Sequence, residues 1–216
     1  MYTLQQQQLT LIENSKLSIE NIHNRYEALK NQLNPHFLFN TLNTLDGLIG
    51  FDDDKAHEYI QQLSLTFRYV ISNNDVVTVR DELNFVKSYN YLMKIRYGNN
   101  LSIQYDIAEN YLSYHILHIS LQLLVENAVK HNVISDRHQL SINIYTTNNN
   151  TIKVENNIRK IVGGKHEEGI GLISLSERYK LQFGKEVVVT NTDNIFTVEV
   201  PIIDNKYDTN NKLDKG

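Results

Sequence analysis

At 216 residues, with 41% apolar and 21% charged side chains, the chain has material for one large domain or two small ones with real cores. A net charge of −4 and a pI near 6.1 exclude a basic field for nucleic acid or anionic lipid, and zero cysteines exclude disulfides and thiolate metal sites. No apolar run approaches the roughly 18 residues a membrane span needs, and the opening MYTLQQQQLTLIENSK lacks the charged-then-apolar order of a signal peptide.

Residues 1–33 are polar, lack Gly and Pro, and are expected to form one long helix. Ile12, Ile19, Tyr26 and Leu33 recur every seven residues, with Ser15, Ile22 and Leu29 at an offset of three, an a/d seam that wants a second helix against it. A parallel homodimeric coiled coil and a single helix packed on its own domain both satisfy the pattern. Asn34 suits an N-cap, and Pro35 suits a first helical position, where its missing N–H has no partner to lose. The stretch from Asn34 to Gly50 therefore predicts a fresh or sharply kinked helix ending at Gly47 to Gly50. After the polar turn FDDDK, Ala56, Tyr59, Ile60, Leu63, Phe67, Val70 and Ile71 form a helical stripe over residues 55–72. Residues 33–72 thus predict a helical hairpin, and two hairpins in a dimer make a four-helix bundle.

SNNDVVTVRDEL reads as a loop leading into a helix that lasts to about Tyr97 and stops at YGNN. Beyond it the pattern changes class. LSIQYDI alternates as a strand, ILHISLQLLVENAVKHN is an amphipathic helix, and LSINIYT and TIKVENN are strands joined across Asn148 to Asn150. A polar, Gly-bearing stretch from Ile158 to Glu168 precedes the helix GLISLSERYKLQFG, and EVVVTNT and IFTVEVPI close as a hairpin across Asp193 and Asn194. The expectation is an α+β sandwich: a mostly antiparallel sheet with helices on one face. The tail after Ile203 is polar.

Three stretches carry candidate chemistry. In LLVENAVKHN, Asn127, Lys130 and His131 lie at i, i+3 and i+4 and share one helix face, with Leu121, Leu124, Val125 and Ala128 opposite. An amide oxygen, an ammonium and an imidazole on one side suit a Mg²⁺ and the phosphates it bridges. Glu126 stands at the edge of that face, four residues before Lys130. A solvated face with one intrahelical ion pair explains the same residues. In GIGLISLSER, Gly169 and Gly171 straddle one apolar residue at a helix entrance, where backbone N–H groups and the helix dipole favour an anion. With Gly163 and Gly164 upstream, residues 158–170 suit a flap over a nucleotide, although turns and caps produce the same glycines. In LNPHFLFN, a helix beginning at Pro35 puts His36 in the first turn. There the positive end of the dipole disfavours imidazolium and attracts anions, so both the neutral nucleophile and the phosphate it would receive are favoured. An exposed or capping histidine is the plainer alternative.

Taken together, LNPHFLFNTLN, LSLTFRYVI, VTVRDELNFVKSYNYLMKIRYGNNLSI, LQLLVENAVKHN and GIGLISLSERYKLQFG resemble, in order and spacing, the LytS/YehU-type sensor histidine kinase family over residues 30–202. The resemblance implies four segments: a coiled-coil signalling helix (1–33), a dimerisation and phosphotransfer hairpin (34–74), a GHKL or Bergerat ATP-binding domain (75–203) and a polar tail (204–216). By position it implies that His36 is the phosphoacceptor. Asn127 would coordinate Mg²⁺, Lys130 and His131 would lie at the phosphates, and Glu126 would assist at the metal or its water. Gly169 and Gly171 would open the lid, and Arg178 would be the lid-helix arginine. Asn156 stands where the family carries an adenine-reading aspartate.

The sequence also departs from the family. NIRK replaces the Gly-containing turn after that aspartate, Ser174 stands where asparagine is common, ILHIS replaces the usual prolines, and Phe37 follows His36 in place of a carboxylate. The resulting expectation is an ATP- and Mg²⁺-dependent protein-histidine kinase core, homodimeric, that hands its phosphoryl group to a response-regulator aspartate and binds no nucleic acid. It would be cytoplasmic, with a sensor or membrane part expected ahead of Met1. A nucleotide-poor dimeric scaffold is the alternative that Asn156 and NIRK support. A chaperone-type ATPase is disfavoured because Leu123 occupies the place of its water-activating acid.

Overall fold

The structure, a computed structural model, describes residues 35–72, 74–159 and 170–204. The expected coiled coil, the flap glycines with Gly169, and the polar tail from residue 205 onward lie outside these residues. Two compact units divide between Phe51 and Asp52. In the first, α1 spans Pro35–Leu48, as the proline and the glycine-rich exit predict. It exposes Phe39 and Leu42, and Ile49 and Phe51 after it are exposed as well.

The second unit opens with α2 (Asp53–Ile71), whose start is set by Asp52: its carboxylate accepts from the Lys55 amide at 3.1 Å, a cap over an otherwise unpaired N–H. The predicted stripe is half right. Ala56, Tyr59, Leu63 and Val70 are buried with Thr66, whereas Ile60 and Ile71 face outward. A short strand, β1 (Val76–Thr78), replaces the loop expected there. Helix α3 (Val79–Tyr97) is capped by Thr78, which accepts from the Asp81 amide at 3.1 Å, and it ends at Gly98, whose φ of 58° needs glycine.

ILHIS corrects the sequence expectation. It does not begin a helix. His115–Leu117 form β3, antiparallel to β1 with Val77 opposite Ile116, and the next helix, α4, runs only from Ser120 to His131. A strand of three residues is too short a signal to separate from helix by period alone.

The remaining elements follow the pattern: β2 (Leu101–Asp106), β4 (Leu140–Thr146), β5 (Thr151–Asn157), α5 (Ile170–Phe183), β6 (Val188–Asn191) and β7 (Ile195–Pro201). They form a five-stranded sheet in the order β2-β4-β5-β7-β6, antiparallel except for the parallel pair β2-β4. Helix α4 packs on β4 and β5, α3 on α2 and β2, and α5 on α4. Alternation along the strands sends Ile142, Ile144, Ile152, Val154, Val198 and Val200 into the core with Leu121, Leu124 and Val125 of α4. The other register of β5 and β7 carries polar pairs such as Lys153 Nζ to Glu199 Oε2 at 3.2 Å. This is the α+β sandwich expected. Among the described residues no helix is long and apolar enough to cross a membrane.

Candidate functional site

Helix α4 carries most of the candidate residues, and burial sorts its two faces as the spacing predicts. Leu121, Leu124, Val125 and Ala128 are buried, Lys130 and His131 are exposed, and Asn127 is half-buried between them. Lys130 and His131 occupy the last turn, where cations oppose the negative end of the helix dipole. Glu126 accepts from the Gln122 side chain at 2.6 Å.

Asn127 is the telling residue. Its Nδ2 is buried and makes no hydrogen bond among the described residues. Leaving such a donor unmet costs about 1–3 kcal/mol. A phosphate oxygen would satisfy it, and the same amide turned over presents an oxygen to a hard cation. No cluster of three His, Cys, Asp or Glu able to hold a metal occurs among the described residues, so a cation here would rest on Asn127, with the rest of its shell from phosphate and water. The donor set therefore fits Mg²⁺ brought in on a phosphate chain, the arrangement in which that ion keeps most of its waters.

Asn156 sits at the last inward position of β5, 4% exposed, because the strand's alternation puts residues 152, 154 and 156 on the helix-covered side. Its Nδ2 donates to the Asn157 carbonyl at 2.8 Å. The chain beyond β5 is stitched to the chain beyond α4. Asn132 caps α4 by donating to the Ala128 carbonyl at 2.8 Å, its Oδ1 accepts from the Arg159 amide at 2.6 Å, and the Val133 amide donates to the Arg159 carbonyl at 2.9 Å. Arg159 thus supplies a seam between the chain after β5 and the chain after α4. A cavity of about 710 Å³ beside it is lined by Val133, His138, Ile158, Arg159 and the β6–β7 turn, and not by Asn127, Lys130 or Asn156.

Gly171 lies inside α5. A Cβ built on it would come 3.1 Å from Leu123 Cδ1, so its small size lets α5 close on α4. Leu123, half-buried on α4, is this packing partner. Arg178 is exposed on the same helix, and Tyr179 beside it is fully buried. His36 is the second described residue of α1, in the other unit. Asn127 and the cationic last turn therefore share one helix, Asn156 lies on the sheet beneath it, and Gly171 packs against it.

The sequence reading missed the amino end of α4. Glu82 of α3 is fully buried, and among the described residues each of its partners donates to it: Tyr69 Oη, the Ile119 amide at 3.0 Å, the Leu121 amide at 2.9 Å and the Gln122 amide at 3.5 Å. Burial raises its carboxyl to about 7 even though the four donors pull the other way. Ile119, which precedes α4, adopts φ 66°, a left-handed conformation that costs a β-branched residue about 1–3 kcal/mol. A signal for Glu82 does exist: an acid in the apolar stripe formed by Val79, Leu83, Val86 and Met93.

Three relatives frame these observations. Residues 24–101 match the family described as Histidine kinase. LytS of Staphylococcus saprophyticus, a sensor protein, is 37% identical over 107 residues, 49% of this chain and 18% of that one. LytS of Enterococcus faecalis is 32% identical over 181 residues, 74% of this chain and 30% of its own length. The putative uncharacterized protein YwpD of Bacillus subtilis is 31% identical over 179 residues, 76% of this chain and 64% of its own. The chain thus spans between about a fifth and two thirds of the relatives it matches.

Proposed function

We propose that this chain, which belongs to the LytS-type sensor histidine kinases, is the core of an ATP-dependent protein-histidine kinase in a two-component system. The observation that carries the reading is the buried Asn127 Nδ2, unbonded among the described residues, on one helix face with Lys130 and His131. Mg²⁺, when bound, neutralises phosphate charge. Asn127 would hold that ion and Lys130 the phosphate oxygens, while Glu126 orients water at the rim and Arg178 meets the phosphates from α5. Asn156 would accept from the adenine amino group through its amide oxygen, without the charge assistance a carboxylate provides. The neutral imidazole of His36 would attack the γ-phosphorus; the new N–P bond forms as the bond to the bridging oxygen breaks and ADP leaves. The phosphoryl group would then pass to an aspartate of a separate response regulator. Positioning and charge neutralisation supply most of the acceleration in such transfers.

The homodimer, built on residues 1–33 and the helices on either side of Phe51, belongs to the same proposal. So do a cytoplasmic location and a sensor portion in the whole protein. Incubation with labelled ATP and Mg²⁺ tests the reading: wild type takes up acid-labile, base-stable label, His36→Ala takes up none yet still binds nucleotide, and Asn127→Ala is weakened in both. Label persisting in His36→Ala with the same stability would refute the assignment. A second reading, a signalling scaffold that binds nucleotide poorly, draws on Asn156, buried with its amide turned to Asn157. An ATP-analogue titration that shows no Mg²⁺-dependent binding would favour it.

A further inference from the structure

The joint at the amino end of α4 has a function in view of what lies farther along that helix. Tyr69 belongs to the last turns of α2, Glu82 to α3, and Ile119 to Gln122 to the start of α4, so one carboxylate joins three helices. The ring of Tyr69 stacks on Phe85 at 4.3 Å and meets His118 at 4.6 Å. His118 Nε2 lies 3.0 Å from the Tyr69 carbonyl and 3.2 Å from Ser72 Oγ, binding the end of α2 to the approach to α4 a second time. The β1–β3 ladder, with Thr78 opposite His115, ties the start of α3 to the approach to α4 as well. Gln122 then carries the contact onward: its amide faces Glu82 and its side chain donates to Glu126, next to Asn127. A helix turn is stiff, and Asn127 stands only two turns from the clamp, so a shift at one end reaches the other.

We propose that Glu82 is a positioning residue for the nucleotide-binding face of α4, and that its bond from Tyr69 couples that position to the end of α2. The inference rests on the reading of α4 as the nucleotide helix. Among the described residues the four partners of Glu82 are all donors, so the clamp is made with the carboxylate form. The strained Ile119 conformation is held in place by its amide bond to this carboxylate. The other titratable groups around Glu82 are Tyr69 on α2, Asp81 beside it on α3 and Tyr179 on α5, with His118 against the Tyr69 ring. Burial lowers the pKa of His118, which favours its neutral form.

The test compares the full chain with Glu82→Gln and Tyr69→Phe, reading amide exchange at Ile119, Leu121 and Gln122 together with affinity for a non-hydrolysable ATP analogue plus Mg²⁺ at pH 6 and pH 8. Tyr69→Phe keeps the cap on α4 and should melt within a few degrees of wild type. It should nevertheless exchange those amides several-fold faster and bind the analogue about three- to tenfold more weakly. Its loss should be larger at pH 6, because removing the tyrosine bond makes Glu82 easier to protonate. Glu82→Gln should weaken binding at both pH values and differ from wild type more at pH 8 than at pH 6. Wild-type exchange in both variants, or faster exchange with unchanged analogue affinity, overturns the proposal. If the wild-type chain itself does not bind the analogue, the reading of α4 as a nucleotide helix fails, and exchange alone still decides whether the clamp exists.

Discussion

The two ends of α4 solve the same electrostatic problem in opposite ways. At the amino end the helix dipole is met by an acid from another element, Glu82, fully buried and bonded four times, and the backbone before it is strained at Ile119. At the carboxyl end it is met by the helix's own Lys130 and His131, both exposed, with Asn132 capping the last turn. The buried end is over-determined and fixes where the helix lies. The exposed end keeps its charges in water, where an anion can reach them, and between the two stands Asn127 with a donor unmet. Strain and a buried acid thus sit at one end of the helix, and exposed charge at the other.

The contrast can be broken from either side. Tyr179, fully buried on α5, meets the amino end through its hydroxyl, 3.4 Å from the Leu117 amide and 3.5 Å from Ser120 Oγ. Tyr179→Ala should lower unfolding free energy by about 3–5 kcal/mol in urea titrations, whereas Tyr179→Phe loses only those long bonds. On the exposed half, Asn127→Ala should cut Mg²⁺-dependent affinity for an ATP analogue by about 10- to 100-fold in calorimetry. It should leave the melting temperature equal or higher, since the substitution removes an unmet donor.

The pH dependence sharpens the comparison. The Glu82 carboxyl is raised to about 7, so the folded state holds its proton more tightly than the unfolded chain does. Its contribution to stability is complete below the ordinary glutamate range of about 4.3 and falls away as pH rises to about 7. His118 works in reverse, its contribution fading as pH drops below its ordinary value. Unfolding titrations from pH 4 to 8 should show the first decline in wild type and none in Glu82→Gln. A smaller effect belongs to the cap: Asn132→Ala releases two bonds and should cost about 1–2 kcal/mol by thermal unfolding. The smallest is Gly171→Ala, where the helix propensity gained, about 1 kcal/mol, is offset by contact with Leu123 Cδ1 at 3.1 Å. The net change should lie near zero, while Gly171→Val should destabilise by about 1–3 kcal/mol.

Much of this was legible in one dimension because it is periodic or local. Buried and exposed faces of α4 follow from i, i+3, i+4 spacing, and strands β4, β5 and β7 from alternation. The turn after Tyr97 follows from a glycine that alone accepts φ of 58°. The same alternation puts Asn156 on the inner side of β5 once the strand's end is known. Motif order was enough to single out Asn127, Lys130 and Gly171 before any fold was in view.

What the chain order could not disclose is which distant groups share one buried point. Glu82 lies 37 residues before Ile119 and 13 after Tyr69, and no periodicity links those three. The strand pair β1–β3 and the late start of α4 at Ser120 belong to the same kind of fact, since three-residue strands exist only through their partners. The sequence alone determined faces and turns, because those depend on neighbours within a few residues, and the family, because its motifs recur in a fixed order along the chain. The tertiary structure alone decided that an acid in an apolar stripe becomes a helix cap, because a buried carboxylate is tolerable only where donors from separate elements converge on it.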